Sequence, residues 1–359
     1  MKEIKSLPLA FAYTGCFLGA GFVSGQELWQ FFGSFGNWGY LGFLVAAVLF
    51  VFFGILLLRI TQMTGIEDLD QLIVPWDIPW LRKVSGAIAA LFLLGVVIIM
   101  TAGVGAMLDQ LLGLPAWIGD GLFVLLIALI AMAGVSGMVN AFSALVPLLV
   151  LATILFAGAA FWKFGTGDIF HLTNVNTNPL MPNWLIAALT YVAYNILGAI
   201  GIITPLGKLI RRRSTIYVGI TLGGFMLTGV AGSVLASLAV CLPATEAELP
   251  MVALGSSLSP LLGKIYGILL LLGMFCNALA SLVGLLFYLE QKKPSLQTHR
   301  KLLMAIAALL IWLGSLGGFG QLVGIIFPVF GYISIFFLAG LILRYVHCRQ
   351  RGKTKSTQG

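Results

Sequence analysis

Long apolar stretches alternate with short polar ones along the whole chain. Ten stretches read as helices that cross a bilayer, which takes about 20 apolar residues, the ninth being shorter. They cover about residues 7–32, 39–62, 84–112, 117–134, 140–162, 183–210, 215–241, 264–289, 301–315 and 320–345. Little chain remains between them. The pattern predicts an all-α integral membrane protein, with a single ten-helix domain over 1–345 and a basic tail over 346–359. The first stretch is interrupted by Gly19-Ala20-Gly21-Phe22-Val23-Ser24-Gly25-Gln26-Glu27. Each glycine weakens a helix by roughly 1 kcal/mol. Irregular backbone at membrane depth is tolerated only where protein or a water-filled cavity covers it. Ser24-Gly25-Gln26-Glu27 fits the S-x-x-E capping box that starts a helix. A broken helix is therefore predicted: a first half ending near Leu18, a short unwound piece, and a second half capped by Ser24 and running to about Phe32.

The sixth stretch repeats the theme. Gly198 and Gly201 lie near its centre beside the polar Asn195, and Thr204-Pro205 offers a cap followed by a favoured first-position proline. Gly21 and Gly201 are 201 − 21 = 180 residues apart, about half the chain. Five spans is an odd number, so the second half, about 183–345, enters the membrane inverted relative to the first, about 7–163. Paired broken helices in inverted halves mark a transporter's binding site.

Charge fixes the orientation. The chain has 359 residues, 60% hydrophobic and 9% charged, with a mean hydropathy of +1.06. Its net charge of +8 would suit nucleic acid, but the positions argue against that partner. With ten spans, only Lys163 and Lys264 of the 20 basic residues fall on one side of the membrane. The other side holds Lys2, Lys5, Arg59, Arg82, Lys83, Lys208, Arg211, Arg212, Arg213 and the basic residues of the later loop and tail. Both termini are then cytoplasmic by the positive-inside rule. Of the four cysteines, only Cys241 approaches the outside, so no disulfide is expected. No Cys or His spacing suits a metal. The loop from Glu67 to Lys83 reads as an amphipathic surface element, and the segment from Pro243 to Gly263 as one that folds back onto the protein through Leu249, Met251, Val252, Leu254 and Leu258. Gly134-Val135-Ser136-Gly137 matches the G-x-S-G of intramembrane serine proteases, but no span carries the histidine such chemistry needs; a tight turn is the better reading.

Ten spans broken in the first and sixth resemble the amino acid–polyamine–organocation superfamily with the LeuT fold, and Gly19-Ala20-Gly21-Phe22 resembles its first-span motif. The long glycine motif, with Tyr194-Asn195 and Thr204-Pro205-Leu206-Gly207, is similar to the YkvI-like membrane proteins of bacteria. The resemblance implies a secondary transporter of an amino acid or a related amine or acid in the bacterial cytoplasmic membrane. The lack of a metal or nucleophile constellation, and the scarcity of buried ionisable residues, Glu27 being the main exception, argue against an enzyme. Sodium-coupled members of the superfamily hold an ion between first-span carbonyls and a Ser/Thr pair on the eighth span. That pair falls here at Cys276 and Asn277, with Ser281 one turn on, which departs from the pattern.

The candidate substrate-binding residues are Gly19, Ala20, Gly21, Phe22, Ser24, Gly25, Glu27, Thr101, Tyr194, Asn195, Gly198 and Gly201. Candidate ion ligands are the carbonyls of Gly19 and Phe22 with the side chains of Asn277 and Ser281. No cofactor is expected beyond a coupling ion, sodium or a proton. Glu27 has three readings: it recognises an amine, carries a proton, or only caps with Ser24. The polar spots have packing alternatives: Thr101 and the glycines can serve helix contact, and Asn277 can bond across helices. A ligand-sensing subunit on the same fold, like a germinant-receptor component, competes with the transporter reading. An ion channel lacks its rings of charged or repeated filter residues.

Overall fold

The computed structural model describes residues 4–65, 79–133, 138–167, 169–207, 210–293 and 295–356. Among them the regular structure is helical: α1 (Ser6–Phe17), α2 (Ala20–Val23), α3 (Gln26–Phe31), α4 (Asn37–Thr64), α5 (Pro79–Leu112), α6 (Ala116–Ala133), α7 (Met138–Phe164), α8 (Trp184–Gly207), α9 (Arg213–Ala239), α10 (Pro250–Leu258), α11 (Pro260–Lys292), α12 (Ser295–Thr298), α13 (Arg300–Ser315) and α14 (Phe319–Ser356), with short 3-10 turns at Gly33–Phe35 and Leu242–Glu246. Six of these, within α4, α5, α7, α9, α11 and α14, are long and apolar enough to cross a membrane. Shorter apolar helices lie at Ser6–Phe17, Ala116–Met132 and Trp184–Ile200. The chain is a multi-pass membrane protein. The amphipathic element read over Glu67–Lys83 falls mostly, and the turn Gly134–Gly137 wholly, outside the described residues.

Polar residues inside these apolar helices are satisfied locally. Thr101, Thr153, Thr190 and Thr204 each donate to the carbonyl four residues back, at 2.7–2.8 Å, the usual way a hydroxyl is tolerated mid-helix. The main packing partners are α5 with α11, α8 with α14, α1 with α9, and α4 with α8. Tyr13, wholly buried, ties α1 to α4 through Phe50 O at 2.5 Å, and Thr14 ties α1 to α9 through Gly223 O at 3.0 Å.

The segment after α9 folds back as its apolar residues predict. Leu249, Met251, Val252 and Leu254 are fully buried, and Lys163 Nζ donates to Ser257 O at 2.6 Å. The loop before α8 packs likewise: Val175 N donates to Ser34 O at 2.8 Å, and Asn178 Nδ2 to Gly324 O at 2.8 Å.

Two expectations are corrected. The sixth stretch is not broken near Gly198 and Gly201; Trp184–Gly207 is one helix. Asn195 Nδ2 bonds back to Tyr191 O at 2.9 Å and Thr204 Oγ1 to Ile200 O at 2.8 Å, so both polar residues are absorbed by the turn beneath them. Thr204 therefore lies inside the helix rather than at the start of a second half. At the other end of the chain, α14 continues to Ser356, through most of the stretch read as a separate tail.

Candidate functional site

The first membrane segment comes in three pieces. Leu18 leaves helical geometry (φ −73°, ψ 56°) and ends α1. Gly19 N then turns back to Phe17 O at 2.7 Å, and Val23 N reaches Gly19 O at 3.1 Å, closing the single turn of α2. Gly25 adopts φ 84°, in the left-handed region where a side chain is penalised, and is the N-cap of α3. The expected capping box does not form. The N-cap residue Gly25 makes no side-chain cap bond; Ser24 Oγ, one residue earlier, donates to Gly21 O at 2.8 Å and accepts from Gln26 N, the first N–H of α3, at 3.3 Å, and not from Glu27 N as the box requires. Gly25 takes the cap position because the sharp turn there needs a backbone only glycine adopts cheaply.

Freeing backbone groups in a buried place obliges partners, and distant parts of the chain supply them. The Tyr266 hydroxyl from α11 donates to Val23 O at 2.7 Å, and Met251 N at the start of α10 donates to Ser24 O at 2.9 Å. The carbonyls of Val23, Ser24 and Gly21 are thus engaged, and Phe22 O accepts from Gly25 N at 3.2 Å. Neither tyrosine contact nor the α10 contact is legible from local sequence.

Glu27, freed from capping, turns toward the break. It is 6% exposed. A methyl group at Gly21 would stand 2.6 Å from Glu27 Oε1 and 2.9 Å from its carboxyl carbon, closer than real contacts allow. Gly21 is therefore the seat of the Glu27 carboxylate. Across from it, α8 presents Tyr191 and Tyr194, each 2% exposed. Glu27 acts electrostatically on both phenols. The Tyr194 hydroxyl lies beside the Glu27 carboxylate without a hydrogen bond of good geometry, and the Tyr191 hydroxyl has no partner either. The two rings are 5.6 Å apart, Phe31 lies 5.2 and 5.7 Å from them, and Tyr194 stacks on Phe327 of α14 at 4.5 Å and 4°.

The other candidates divide. Gly19 meets Asn277: a methyl at Gly19 would be 3.1 Å from Asn277 Nδ2, which also reaches Met100 Sδ at 3.8 Å. Ser281 is buried on the same helix one turn further. The Phe22 side chain points elsewhere, into a narrow apolar void shared with Leu28, Phe32, Phe43, Phe50 and Tyr191. Thr101 is wholly buried and donates to Val97 O. Asn195 spends its amide nitrogen on its own helix. Gly198 faces Phe92, whose Cε1 would be 3.1 Å from an added methyl, which is a packing contact. Ala20 lies in α2 and Gly201 within α8. Sequence reasoning missed Tyr191, although its three-residue spacing from Tyr194 puts both on one helical face. It also missed Gln30, whose Nε2 donates to Gly320 O of α14 at 2.8 Å.

A separate cavity of about 870 Å³ lies between the end of α5, the start of α6, the segment leading into α10 and the α13–α14 turn. Asp109, Trp117, Asp120 and Glu248 line it, and none of the candidate site residues does. Asp120 Oδ2 accepts from Ser315 Oγ at 2.9 Å and Glu248 from Phe319 N at 3.2 Å, while Asp120 Oδ1 is buried without a hydrogen-bond partner; this acid-lined space is distinct from the break.

No protein-family model matches the chain. It is 28% identical over 344 residues to the uncharacterized membrane protein YkvI of Bacillus subtilis (strain 168), covering 94% of this chain and 95% of that one. Among solved structures it is similar to MhsT in complex with L-phenylalanine, at 18% identity and a TM-score of 0.61, covering 94% of this chain and 89% of MhsT. It is also similar to the inward-facing conformation of Mhp1, a nucleobase-cation-symport-1 family transporter, at 14% identity and a TM-score of 0.66, covering 93% and 75%. These likenesses extend over nearly the whole chain, and the chain shares the fold of these transporters.

Proposed function

We propose that this protein is an ion-coupled secondary transporter of a small solute, an amino acid or a related amine or acid, working by alternating access. Ten spans in two inverted halves carry it in a bacterial cytoplasmic membrane, with both termini in the cytoplasm. The observation that carries the reading is the break of the first segment at Leu18–Gly25, with a buried carboxylate at Glu27 on one side and Asn277 on the other. Helix ends at membrane depth hold substrates and coupling ions in such folds. The packing supports the two-fold relation. Pairing each span with the one five places on relates the α1–α9 contact to α8–α4, and the α9–α7 contact to α4–α14.

In this reading Gly19, Ala20, Gly21, Ser24, Gly25 and Glu27 line the substrate side together with Tyr194. The Gly19 and Phe22 carbonyls with Asn277 and Ser281 hold the ion, which we take to be sodium, with protonation of Glu27 as the competing mode. L-Phenylalanine and bromovinylhydantoin bound to the two structural neighbours are small solutes of the expected size. Reconstitution into proteoliposomes and uptake of a labelled amino acid panel tests the proposal. Saturable accumulation driven by an imposed ion gradient is the expected result. Ligand binding with no flux would overturn transport in favour of a sensing subunit.

A further inference from the structure

The cavity of about 870 Å³ bordered by α5, α6, the segment leading into α10 and the α13–α14 turn shares no lining residue with the break. Its size is that of a small-molecule pocket, about 300–1,000 Å³. Asp109, Asp120 and Glu248 line it, and no Lys, Arg or His is among its described lining residues. The three carboxylates differ in depth. Asp109 and Glu248 are exposed, whereas Asp120 is only 2% exposed. Asp120 Oδ2 accepts from Ser315, but Oδ1 is buried without a hydrogen-bond partner, in the space that a side chain at Gly105 would fill. Glu248 acts electrostatically on Asp120, and Asp109 on Glu248, so the acids form one connected set from floor to mouth. A buried carboxylate oxygen without a partner is costly, and neighbouring like charges disfavour one another's ionised form.

We propose that this cavity binds a linear organic diammonium ion, with one head at Asp120 and the other at the mouth with Asp109 and Glu248. The inference stands apart from the transport reading and from the chemistry of the break. A primary ammonium brings a positive charge and three N–H donors, which is what the orphaned Asp120 oxygen lacks. The exposed Trp117 ring lines the same space and suits cation–π attraction. Other occupants fit less well. An anion meets three carboxylates of like charge. A quaternary ammonium has no N–H to give Asp120. A monoamine neutralises one end and leaves the other end's acids repelling each other. An inorganic cation would fill little of the volume, and among the described residues no group of three His, Cys, Asp or Glu is placed to hold a metal.

The test uses the purified full chain in nanodiscs and its thermal unfolding midpoint, since a ligand of the folded state raises apparent stability. The probes are 1,4-diaminobutane, its hexamethylated bis-quaternary analogue, n-butylamine, succinate and magnesium chloride, at neutral pH and matched ionic strength. A saturable rise with 1,4-diaminobutane is expected, at an apparent affinity severalfold above that of n-butylamine. Asp120→Asn should weaken it about tenfold or more, the loss of one charge-assisted bond. Asp109→Asn/Glu248→Gln, both at exposed positions, should remove the advantage of the diamine over the monoamine, and serves if Asp120→Asn does not fold. Glu27→Gln should leave the diamine affinity as it was. No saturable rise with 1,4-diaminobutane overturns the inference, as does an equal affinity for n-butylamine, the bis-quaternary salt or magnesium. Unchanged affinity in the acid variants overturns it too, and so does a loss in Glu27→Gln, which would move the amine to the break. None of these failures touches the transporter reading, which stands or falls on gradient-driven uptake.

Discussion

At the scale of single residues, two glycines of the first segment do different work. Gly25 is needed for its backbone: φ is 84°, and an added methyl would also come within 2.9 Å of Leu238 Cδ1. Gly21 is needed for space, because its missing side chain is where the Glu27 carboxylate sits. The two substitutions should therefore differ in their dependence on Glu27. Gly25→Ala should destabilise by roughly 1–2 kcal/mol, the cost of a side chain in the left-handed region, whatever stands at position 27. Gly21→Ala should cost about 1–3 kcal/mol as an overpacked contact, and most of that cost should vanish in a Gly21→Ala/Glu27→Ala background. Denaturant unfolding in detergent across this double-mutant cycle measures it. An additive cycle at Gly21 would mean that Glu27 does not occupy that space. Glycine clustering was readable in the sequence; the distinction between a glycine that bends and one that makes room was not. That distinction depends on where Glu27 turns once its capping role is lost to Gly25.

At the scale of elements, the helices and their limits were largely legible, because period and polarity change together where a chain leaves an apolar environment. The first interruption was legible too, since three glycines close together leave little helical preference to overcome. The second was misread for a physical reason. Gly198 in α8 faces the ring of Phe92, and Asn195 and Thr204 bond to carbonyls of the same helix. Helix packing and helix breaking use the same residues, and only the neighbours decide between them. The neighbours also decide what holds the first break. Tyr266 reaches across from α11 to Val23 O, a link 243 residues long in sequence with no local signal. Tyr266→Phe keeps the ring, which packs on Phe156 at 4.7 Å, and leaves the Val23 carbonyl unsatisfied. It should destabilise by about 1–3 kcal/mol, the cost of an orphaned buried acceptor, read as a lower thermal midpoint. The same variant should accelerate amide exchange around Val23 and Ser24 more than in α8. Equal exchange in both regions would mean that the tyrosine does not brace the break.

At the scale of the whole molecule, orientation and coupling are linked. The split that leaves Lys163 and Lys264 alone on one side is the ground for the proposed cytoplasmic placement of both termini. Reporter fusions at the two ends should therefore both read cytoplasmic, and opposite readings would remove the odd-numbered half and with it the inverted repeat. Within that frame the break sits between two chemically distinct neighbours. Toward α11 it offers Gly19 beside the Asn277 side chain, whose amide nitrogen faces Gly19, with the buried Ser281 one turn on. Once the amide is turned over, its oxygen, the Ser281 hydroxyl and the backbone carbonyls are the ligands hard cations prefer. Toward α8 it offers Glu27 among phenols. If the α11 side holds sodium, solute uptake should collapse when sodium is replaced by choline at fixed pH and membrane potential, and Asn277→Ala should raise the sodium concentration needed for half-maximal uptake. Glu27→Gln should then impair solute affinity while leaving the sodium requirement in place. If uptake survives in choline and follows an imposed pH gradient alone, the coupling role belongs to Glu27. Asn277 is then a helix-to-helix contact, consistent with its present reach to Met100. The two sides of the break make these outcomes separable, because each substitution touches one neighbour and leaves the other intact.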